Sequence, residues 1–236
     1  MEIRGASALV TGAGRGIGRA VALALGREGA GVTVVSRTRS ELDALVAEIR
    51  KAGGRAHAVA GSVRDRAFCD HAVAEAGKTH GRVQILVNNA GIGIHKPFAD
   101  TSDDDWATTL ETNLSAVFYL TRAALPGLTS GGGHVFMVSS LAGTNPIAGL
   151  SAYCASKAAL DHLATCLMLE VRQHGVKVTT LAPGSVDTSF GNGKSPDGSW
   201  MLQAEDLAET IVDLLKTRDG AHLSRVEMRP AQPQKR

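Results

Sequence analysis

Short apolar runs alternate along this chain with longer segments in which apolar residues recur at helical spacing. Segments of the second kind begin near residues 19, 40, 65, 102, 152 and 205. Since strands joined by helical crossovers run parallel, the alternation predicts an α/β fold with one doubly wound sheet of about seven parallel strands and helices on both faces. We expect a single domain over residues 1–236. The runs that predict strands are 6–10, 31–36, 56–60, 83–87, 134–138, 176–181 and 222–228.

The composition is that of an ordinary globular protein, and it narrows the function classes. Of the 236 residues, 44% are hydrophobic and 20% are charged, and the formal net charge is +2. This balance gives no reason to expect a nucleic-acid partner. The longest apolar-looking stretch, residues 152–171, is interrupted by Lys157, Asp161 and Glu170, which argues against a lipid-spanning helix, and the first residues lack a signal-peptide pattern. We therefore expect a cytoplasmic protein with no membrane partner.

Neither the cysteines nor the acidic cluster predicts a metal site. Cys69, Cys154 and Cys166 are odd in number and show no paired short spacing, which disfavours a disulfide framework or a zinc site. Ser102 precedes three aspartates at the predicted start of a helix. A serine cap and carboxylates stabilise the positive end of a helix, so we interpret this cluster as a helix start.

A glycine-rich turn links the first predicted strand to the first predicted helix. It reads Thr11-Gly12-Ala13-Gly14-Arg15-Gly16-Ile17-Gly18. Glycine lets backbone amides approach a phosphate at the positive end of the helix, where side chains would block the contact. This position, between a strand and a helix, is the context of a Rossmann-type dinucleotide site.

Residues after the second predicted strand favour NADP over NAD. An acidic side chain there would accept the ribose hydroxyls of NAD, whereas arginine accommodates the extra phosphate of NADP. The chain has Arg37 and Arg39 at this point, and the next carboxylate is Glu41. Arg15 in the glycine turn could contact the same phosphate. The alternative is that Arg37 and Arg39 form only the solvated rim of a loop.

Candidate catalytic groups lie in the second half of the chain. Tyr153 and Lys157 are one helical turn apart and point to the same place, although an isolated pair of this kind is more often a chance feature of an amphipathic helix. A phenol has a pKa of about 10, which an adjacent cation is expected to lower. Ser139 and Ser140 end the fifth predicted strand, where open α/β sheets place ligands, and either could hydrogen-bond a substrate oxygen. Asn113 is unexpected in mid-helix because its amide competes for backbone hydrogen bonds.

Several motifs occur in order between residues 6 and 215: the glycine turn, Asn88-Asn89-Ala90-Gly91, Asn113, Ser140, Tyr153 with Lys157, and Pro183-Gly184. Together they resemble the short-chain dehydrogenase/reductase family, including its 3-oxoacyl-acyl-carrier-protein reductase-like members. The resemblance implies that Tyr153 is the general acid or base and that Lys157 lowers its pKa and holds the nicotinamide ribose. It also implies that Ser140, preferred to Ser139 by its spacing from Tyr153, orients the substrate carbonyl. Asn113 would anchor a water that links Lys157 to solvent.

The same resemblance implies a set of cofactor contacts and two departures. Ser62 stands where the family often has aspartate before Val63, and the C-terminus lacks a glycine-rich ending. The resemblance also implies self-association to a dimer or tetramer through the helices that carry Trp106 and Tyr153. The implied cofactor residues are Gly12, Arg15, Gly16, Ile17, Gly18, Arg37, Val63, Asn89, Ala90, Gly91, Tyr153, Lys157, Pro183, Val186 and Thr188.

These expectations predict an NADPH-dependent oxidoreductase that reduces a ketone or 3-oxoacyl carbonyl, with Tyr153 as proton donor. Residues 191–199 would be its substrate loop, and residues 229–236 a polar tail. Two alternatives remain open. The chain could be an NAD-dependent alcohol dehydrogenase working in the oxidative direction, or a non-catalytic NADP(H)-sensing or scaffold protein on the same fold.

Overall fold

A seven-stranded sheet forms the centre of the computed structural model, which describes residues 1–190 and 198–232. The strand order is β3-β2-β1-β4-β5-β6-β7, and every neighbouring pair is parallel. The predicted fold class is confirmed. The strands are β1 (Ser7–Thr11), β2 (Gly31–Ser36), β3 (Arg55–Ala60), β4 (Val83–Asn88), β5 (Gly133–Val138), β6 (Val176–Pro183) and β7 (Arg225–Met228).

Helices cover both faces of this sheet and bury two apolar cores. Leu9 and Val10, which are neighbours on β1, are fully buried in different cores because successive side chains of a strand point to opposite faces. The core around Val10 lies under α1 (Gly16–Arg27), α2 (Arg39–Lys51) and α7 (Ala204–Lys216). The core around Leu9 lies under α3 (Arg66–His80), α5 (Ala116–Thr129) and α6 (Ser151–Val171), and α4 (Asp103–Leu110) packs beside α6.

Helix starts differ in how well the sequence predicts them. Ser102 and Asp105 form the expected cap of α4, with the Asp105 amide donating to Ser102 Oγ at 3.1 Å and the Ser102 amide donating to Asp105 Oδ2 at 3.0 Å. The second helix was expected to begin near residue 40, but α2 begins at Arg39, so Ser40 lies inside its first turn and Thr38 is the N-cap residue. The Thr38 side chain makes no capping hydrogen bond.

The helix that was predicted to begin near residue 102 and to contain Asn113 is divided in the structure. A π-helical turn, Glu111–Ser115, separates α4 from α5 and contains Asn113. The Asn113 amide forms its hydrogen bonds outside the helix, to Ile92 and Ser156. Such π-turns are frequent at functional sites, so the departure from a regular helix is itself informative.

The last strand is shorter than predicted. Residues 222–228 were expected to be a strand, but β7 begins at Arg225. The ring of His222 takes the place of strand pairing before that point, because its Nε2 lies 2.8 Å from the carbonyl oxygen of Val178 and 3.2 Å from its amide nitrogen.

Residues 1–190 and 198–232 contain no helix that is both long and apolar enough to cross a bilayer. In the same ranges there is no group of three or more His, Cys, Asp or Glu side chains placed to hold a metal ion. Cys69, Cys154 and Cys166 are free thiols.

Candidate functional site

A cavity of about 500 Å³ opens at the carboxyl ends of the strands. The chain leaves β1 toward one face of the sheet and leaves the neighbouring β4 toward the other, which is the arrangement at which open α/β sheets bind ligands. The segments that follow β1 to β6 supply its walls. The predicted residues on these walls are Gly12, Arg15, Gly16, Ile17, Arg37, Val63, Asn89, Ala90, Gly91, Ser140, Tyr153, Lys157, Pro183, Val186 and Thr188.

The glycine turn is packed so tightly that side chains would not fit. Gly12 has a φ of +64°, and a Cβ atom there would lie 2.9 Å from the Cα of Ala90. A Cβ atom on Gly18 would overlap the carbonyl oxygen of Gly12. Gly18 does not line the cavity, so its contribution is to let α1 approach the turn closely. Helix α1 has no acidic residue in its first turn and no side-chain cap, which leaves its first amides available for an anion.

Hydrogen bonds fasten the glycine turn to the segment after β4. Thr11 Oγ1 accepts hydrogen bonds from the amides of Asn89 and Ala90, both at 3.0 Å. The Asn89 side chain donates to the carbonyl oxygen of Thr11 at 2.9 Å. The two motifs that were predicted to contact one dinucleotide are therefore held in a fixed relation.

Charged groups are concentrated where β1, β2 and β3 end. Among the described residues, the side chains of Arg15 and Arg37 make no hydrogen bond or ion pair, and both line the cavity. Arg64 also lines it, but its guanidinium is held by Glu111, with Nε donating to Oε2 at 2.7 Å. The free positive charge at this end of the cavity thus belongs to Arg15 and Arg37, which fits a phosphate group.

The candidate catalytic side chains meet at the other end of the cavity. Tyr153 and Lys157 lie on the first two turns of α6, and Ser140 is the second residue after β5. Lys157 is 4% exposed, and its Nζ donates to the carbonyl oxygen of Val138 at 2.8 Å and lies 5.6 Å from the centre of the Tyr153 ring. Ser139 is buried, and its hydroxyl is directed to the carbonyl oxygen of Lys157. Ser140 is therefore the serine better placed for a substrate oxygen.

Asn113 is fully buried behind this end of the cavity. Its Oδ1 accepts from the Ile92 amide at 2.8 Å, and its Nδ2 donates to the Ile92 carbonyl at 2.9 Å and to Ser156 Oγ at 3.0 Å. Both amide hydrogens are thus committed. The side chain fixes the segment after β4 against α6, one residue from Gly91, and the predicted water link to Lys157 stays a prediction.

Comparison with known sequences decides the family. A sequence profile described as short chain dehydrogenase matches residues 6–198. The protein belongs to the short-chain dehydrogenase/reductase family. The chain is 30% identical over 224 residues to an uncharacterised oxidoreductase of Staphylococcus aureus (strain USA300), covering 94% of this chain and 96% of that protein. It is 40% identical over 184 residues to an uncharacterised oxidoreductase of Mycobacterium tuberculosis, covering 77% of this chain and 70% of the relative.

Solved structures of the family superpose closely on this dehydrogenase. A metagenomic short-chain oxidoreductase in complex with NADP has a TM-score of 0.87 and 35% identity, and the match covers 98% of this chain and 100% of that one. An alcohol dehydrogenase from Thermococcus sibiricus complexed with 5-hydroxy-NADP has a TM-score of 0.90 and 27% identity, covering 97% and 98%. A 3-ketoacyl-ACP reductase from Sinorhizobium meliloti has a TM-score of 0.87 and 33% identity, covering 94% and 97%.

The direction that the sequence predicts for the Tyr153 pKa is wrong. Burial raises the pKa of Tyr153 above its ordinary value, opposed by a hydrogen-bonding contribution from Ser140. The Lys157 ammonium donates to the Val138 carbonyl oxygen and lies 5.6 Å from the centre of the Tyr153 ring, so in this structure the effect of burial on the Tyr153 pKa outweighs the lowering that the sequence predicts. Burial also lowers the pKa of Lys157 from 10.5 to about 8, although Asp161, one turn further along α6, opposes that shift. Lys157 therefore still carries its charge at neutral pH.

Sequence reasoning missed several cavity residues of the dehydrogenase. Phe190 is 48% exposed, and its ring centre lies 5.7 Å from that of Tyr153. Gly93 makes this placement possible, because a Cβ atom there would lie 2.9 Å from the Phe190 ring. A lone phenylalanine in an otherwise polar loop was the available signal. Glu41 was noted in the sequence only as the next carboxylate, although it lines the cavity beside Gly14.

Proposed function

We propose that this enzyme uses NADPH to reduce the carbonyl group of a ketone or 3-oxoacyl substrate to an alcohol. The observation that carries the proposal is the arrangement of Ser140, Tyr153 and the buried Lys157 in one cavity with the glycine turn and the free guanidinium groups. A cavity that joins a phosphate-binding corner to a cluster of proton-transfer groups suits a dinucleotide-dependent reaction better than a nucleotide sensor.

The residues of the cavity fit NADP, and their positions suggest how it is held. The first amides of α1 and the bare backbone at Gly12 and Gly16 would face the pyrophosphate. Arg15 and Arg37 would contact the adenosine phosphate. The NADP complexes of similar structures support this choice of cofactor. When bound, NADPH supplies the hydride to the carbonyl carbon.

The side chains supply orientation and the proton. Ser140 hydrogen-bonds the carbonyl oxygen of the substrate and so presents it to Tyr153. The Tyr153 hydroxyl then gives its proton to that oxygen as negative charge develops on it. The phenolate that remains is stabilised by the Lys157 ammonium, which burial makes effective because little water screens it. Phe190 forms an apolar wall against Tyr153, and Asn113 acts as a positioning residue through Ile92.

We infer further that the enzyme self-associates. Trp106 on α4, Phe118 on α5 and Leu169 on α6 are 42%, 45% and 57% exposed, and they lie on helices that cover the same face of the sheet. Exposed apolar side chains on the helices of one face favour burial against a second copy.

Turnover with a substrate panel tests the proposed function. The enzyme is incubated with NADPH and separate ketones, quinones and 3-oxoacyl thioesters, and the loss of NADPH absorbance is followed while product alcohol is quantified. We expect at least one class to consume NADPH and yield an equal amount of alcohol. The oxidative direction is measured with NADP⁺ or NAD⁺ and the matching alcohols. Tight NADPH binding with no turnover in either direction would instead support the sensor or scaffold alternative.

A further inference from the structure

A carboxylate lies inside the corner of the cavity that the two free arginines define. Glu41 is in the first turn of α2, and its Oε2 occupies the position that a Cβ atom on Gly14 would need. The Ser36 hydroxyl lies 3.1 Å from that same position. Glu41 therefore packs against the glycine turn itself, at the end of β2, and Arg15 and Arg37 line the cavity beside it.

The Glu41 carboxylate differs from the other acidic groups of α2 in having no partner within the described part of the chain. Asp43 accepts from Arg39 at 2.8 Å, and Glu48 pairs with Arg19. Within residues 1–190 and 198–232, Glu41 makes no hydrogen bond or ion pair, even though two arginines line the same cavity. An unpaired carboxylate that faces a cavity is available to a ligand.

A carboxylate in this corner distinguishes the two dinucleotides. Carboxylates accept hydrogen bonds from ribose hydroxyls, which is how NAD is commonly recognised at the end of the second strand. The same negative charge repels a phosphate ester at short range. The end of β2 in this chain carries Ser36, which has no charge, so the discriminating carboxylate comes from the following helix.

We propose that Glu41 is a cofactor-specificity residue that counteracts Arg15 and Arg37. Its carboxylate weakens binding of the 2′-phosphate of NADP and accepts a hydrogen bond from the 2′-hydroxyl of NAD. The enzyme therefore binds both dinucleotides, and its preference for NADP is smaller than the two arginines alone would produce. This inference rests on the dinucleotide site of the proposed function and adds a residue that the glycine-turn and arginine motifs do not include.

Direct binding measurements on charge-neutralised variants test the role of Glu41. The affinities of wild type, Glu41→Gln and Glu209→Gln for NADP⁺ and for NAD⁺ are measured by titration calorimetry at low and at high salt. Glu209 is the matched control because it is an exposed helical glutamate that has no partner among the described residues and does not line the cavity. Glu209→Gln therefore removes the same net charge.

We expect Glu41→Gln to tighten NADP⁺ binding roughly tenfold at low salt, less at high salt, and to weaken NAD⁺ binding. Glu209→Gln should change neither affinity appreciably. If Glu41→Gln leaves the ratio of the two affinities as it is in wild type, Glu41 is only a first-turn carboxylate that stabilises α2. The binding assay does not depend on carbonyl turnover. If Glu41→Gln shifts the two affinities as expected but the enzyme turns over no carbonyl substrate, the role of Glu41 is retained and the reductase proposal is rejected. Binding of neither dinucleotide to wild type would reject both.

Discussion

The two ends of the central sheet each bury a basic side chain, and the cavity described above lies at the carboxyl end. Lys157 lies at the carboxyl end, beside the cavity, and burial lowers its pKa to about 8. His134 lies near the amino end of β5, where burial lowers its pKa to about 3. The pKa is lowered in both groups, and burial is the main cause in both.

Lys157 and His134 differ in the groups that surround them. His134 Nε2 lies 2.8 Å from Thr179 Oγ1, whose own hydrogen is donated to the Leu223 carbonyl at 2.7 Å, so the His134 nitrogen must be the donor. The ring also stacks on Phe136, with ring centres 4.0 Å apart. His134 therefore has a defined partner, is only 2% exposed and does not line the cavity at the carboxyl end, whereas Lys157 does. A lowered pKa indicates a functional group only where such a cavity accompanies it.

The largest effect that we predict on stability comes from His134. Its pKa is about 3 in the folded protein and 6.5 ordinarily, so between these pH values the unfolded chain binds a proton that the folded chain does not. The free energy of unfolding should therefore fall as pH decreases from 6.5 toward 3, by up to about 1.4 kcal/mol per pH unit from this group. Urea unfolding across this range measures the slope.

Comparison of two histidine variants isolates that contribution. His134→Gln keeps a neutral hydrogen-bond donor and should flatten the acid part of the profile. His71→Gln, at an exposed position on α3, should leave the slope as in wild type. Equal slopes for wild type and His134→Gln would show that His134 is protonated in the folded protein and that the comparison between the two ends is wrong.

A smaller effect on stability is predicted at the carboxyl end. Lys157 is charged and buried below pH 8, so Lys157→Met should raise the free energy of unfolding at neutral pH, by at most about 3 kcal/mol, while abolishing turnover. The advantage of the variant should shrink as pH rises from 8 to 10.5, because over that range the unfolded wild-type chain keeps a proton that folded Lys157 has released, so the stability of wild type rises with pH. Urea unfolding at several pH values measures it.

Lys78→Met is the control for Lys157→Met. The Lys78 side chain is 78% exposed, so its replacement should change stability little at any of these pH values. If Lys157→Met is markedly less stable than wild type at neutral pH, the Lys157 side chain has a structural role like that of His134. Its burial then does not indicate catalysis.

The sequence was informative about elements whose cause is local. Residues 31–36 form β2 as predicted, and Ser102 caps α4, because apolar runs and capping residues act over short range. The π-helical turn at Asn113 could not be predicted, since it depends on Ile92 and Ser156, which are distant in the chain. A mid-helix asparagine was the only local sign of it.

In the site, too, local features could be predicted and contacts between distant segments could not. Spacing placed Tyr153 and Lys157 on one face of α6, but it contained no information on burial, and for that reason the predicted direction of the Tyr153 pKa was wrong. Glu41 was missed as a cavity residue because its contact with Gly14 joins two segments across the sheet edge. Residues 191–197 of the predicted substrate loop and residues 233–236 of the predicted tail lie outside the described residues.

The central claim is that Tyr153 donates the proton at the carboxyl end of the sheet, and Tyr153→Phe tests it most directly. The measurement compares wild type, Tyr153→Phe and Tyr119→Phe for NADPH consumption with a turned-over carbonyl and for NADP⁺ affinity. Tyr119, on α5, is the other tyrosine of the chain and does not line the cavity. The account predicts that Tyr153→Phe lowers turnover by about 10²- to 10⁴-fold and leaves NADP⁺ affinity nearly unchanged, while Tyr119→Phe behaves as wild type. Turnover in Tyr153→Phe close to that of wild type would contradict it.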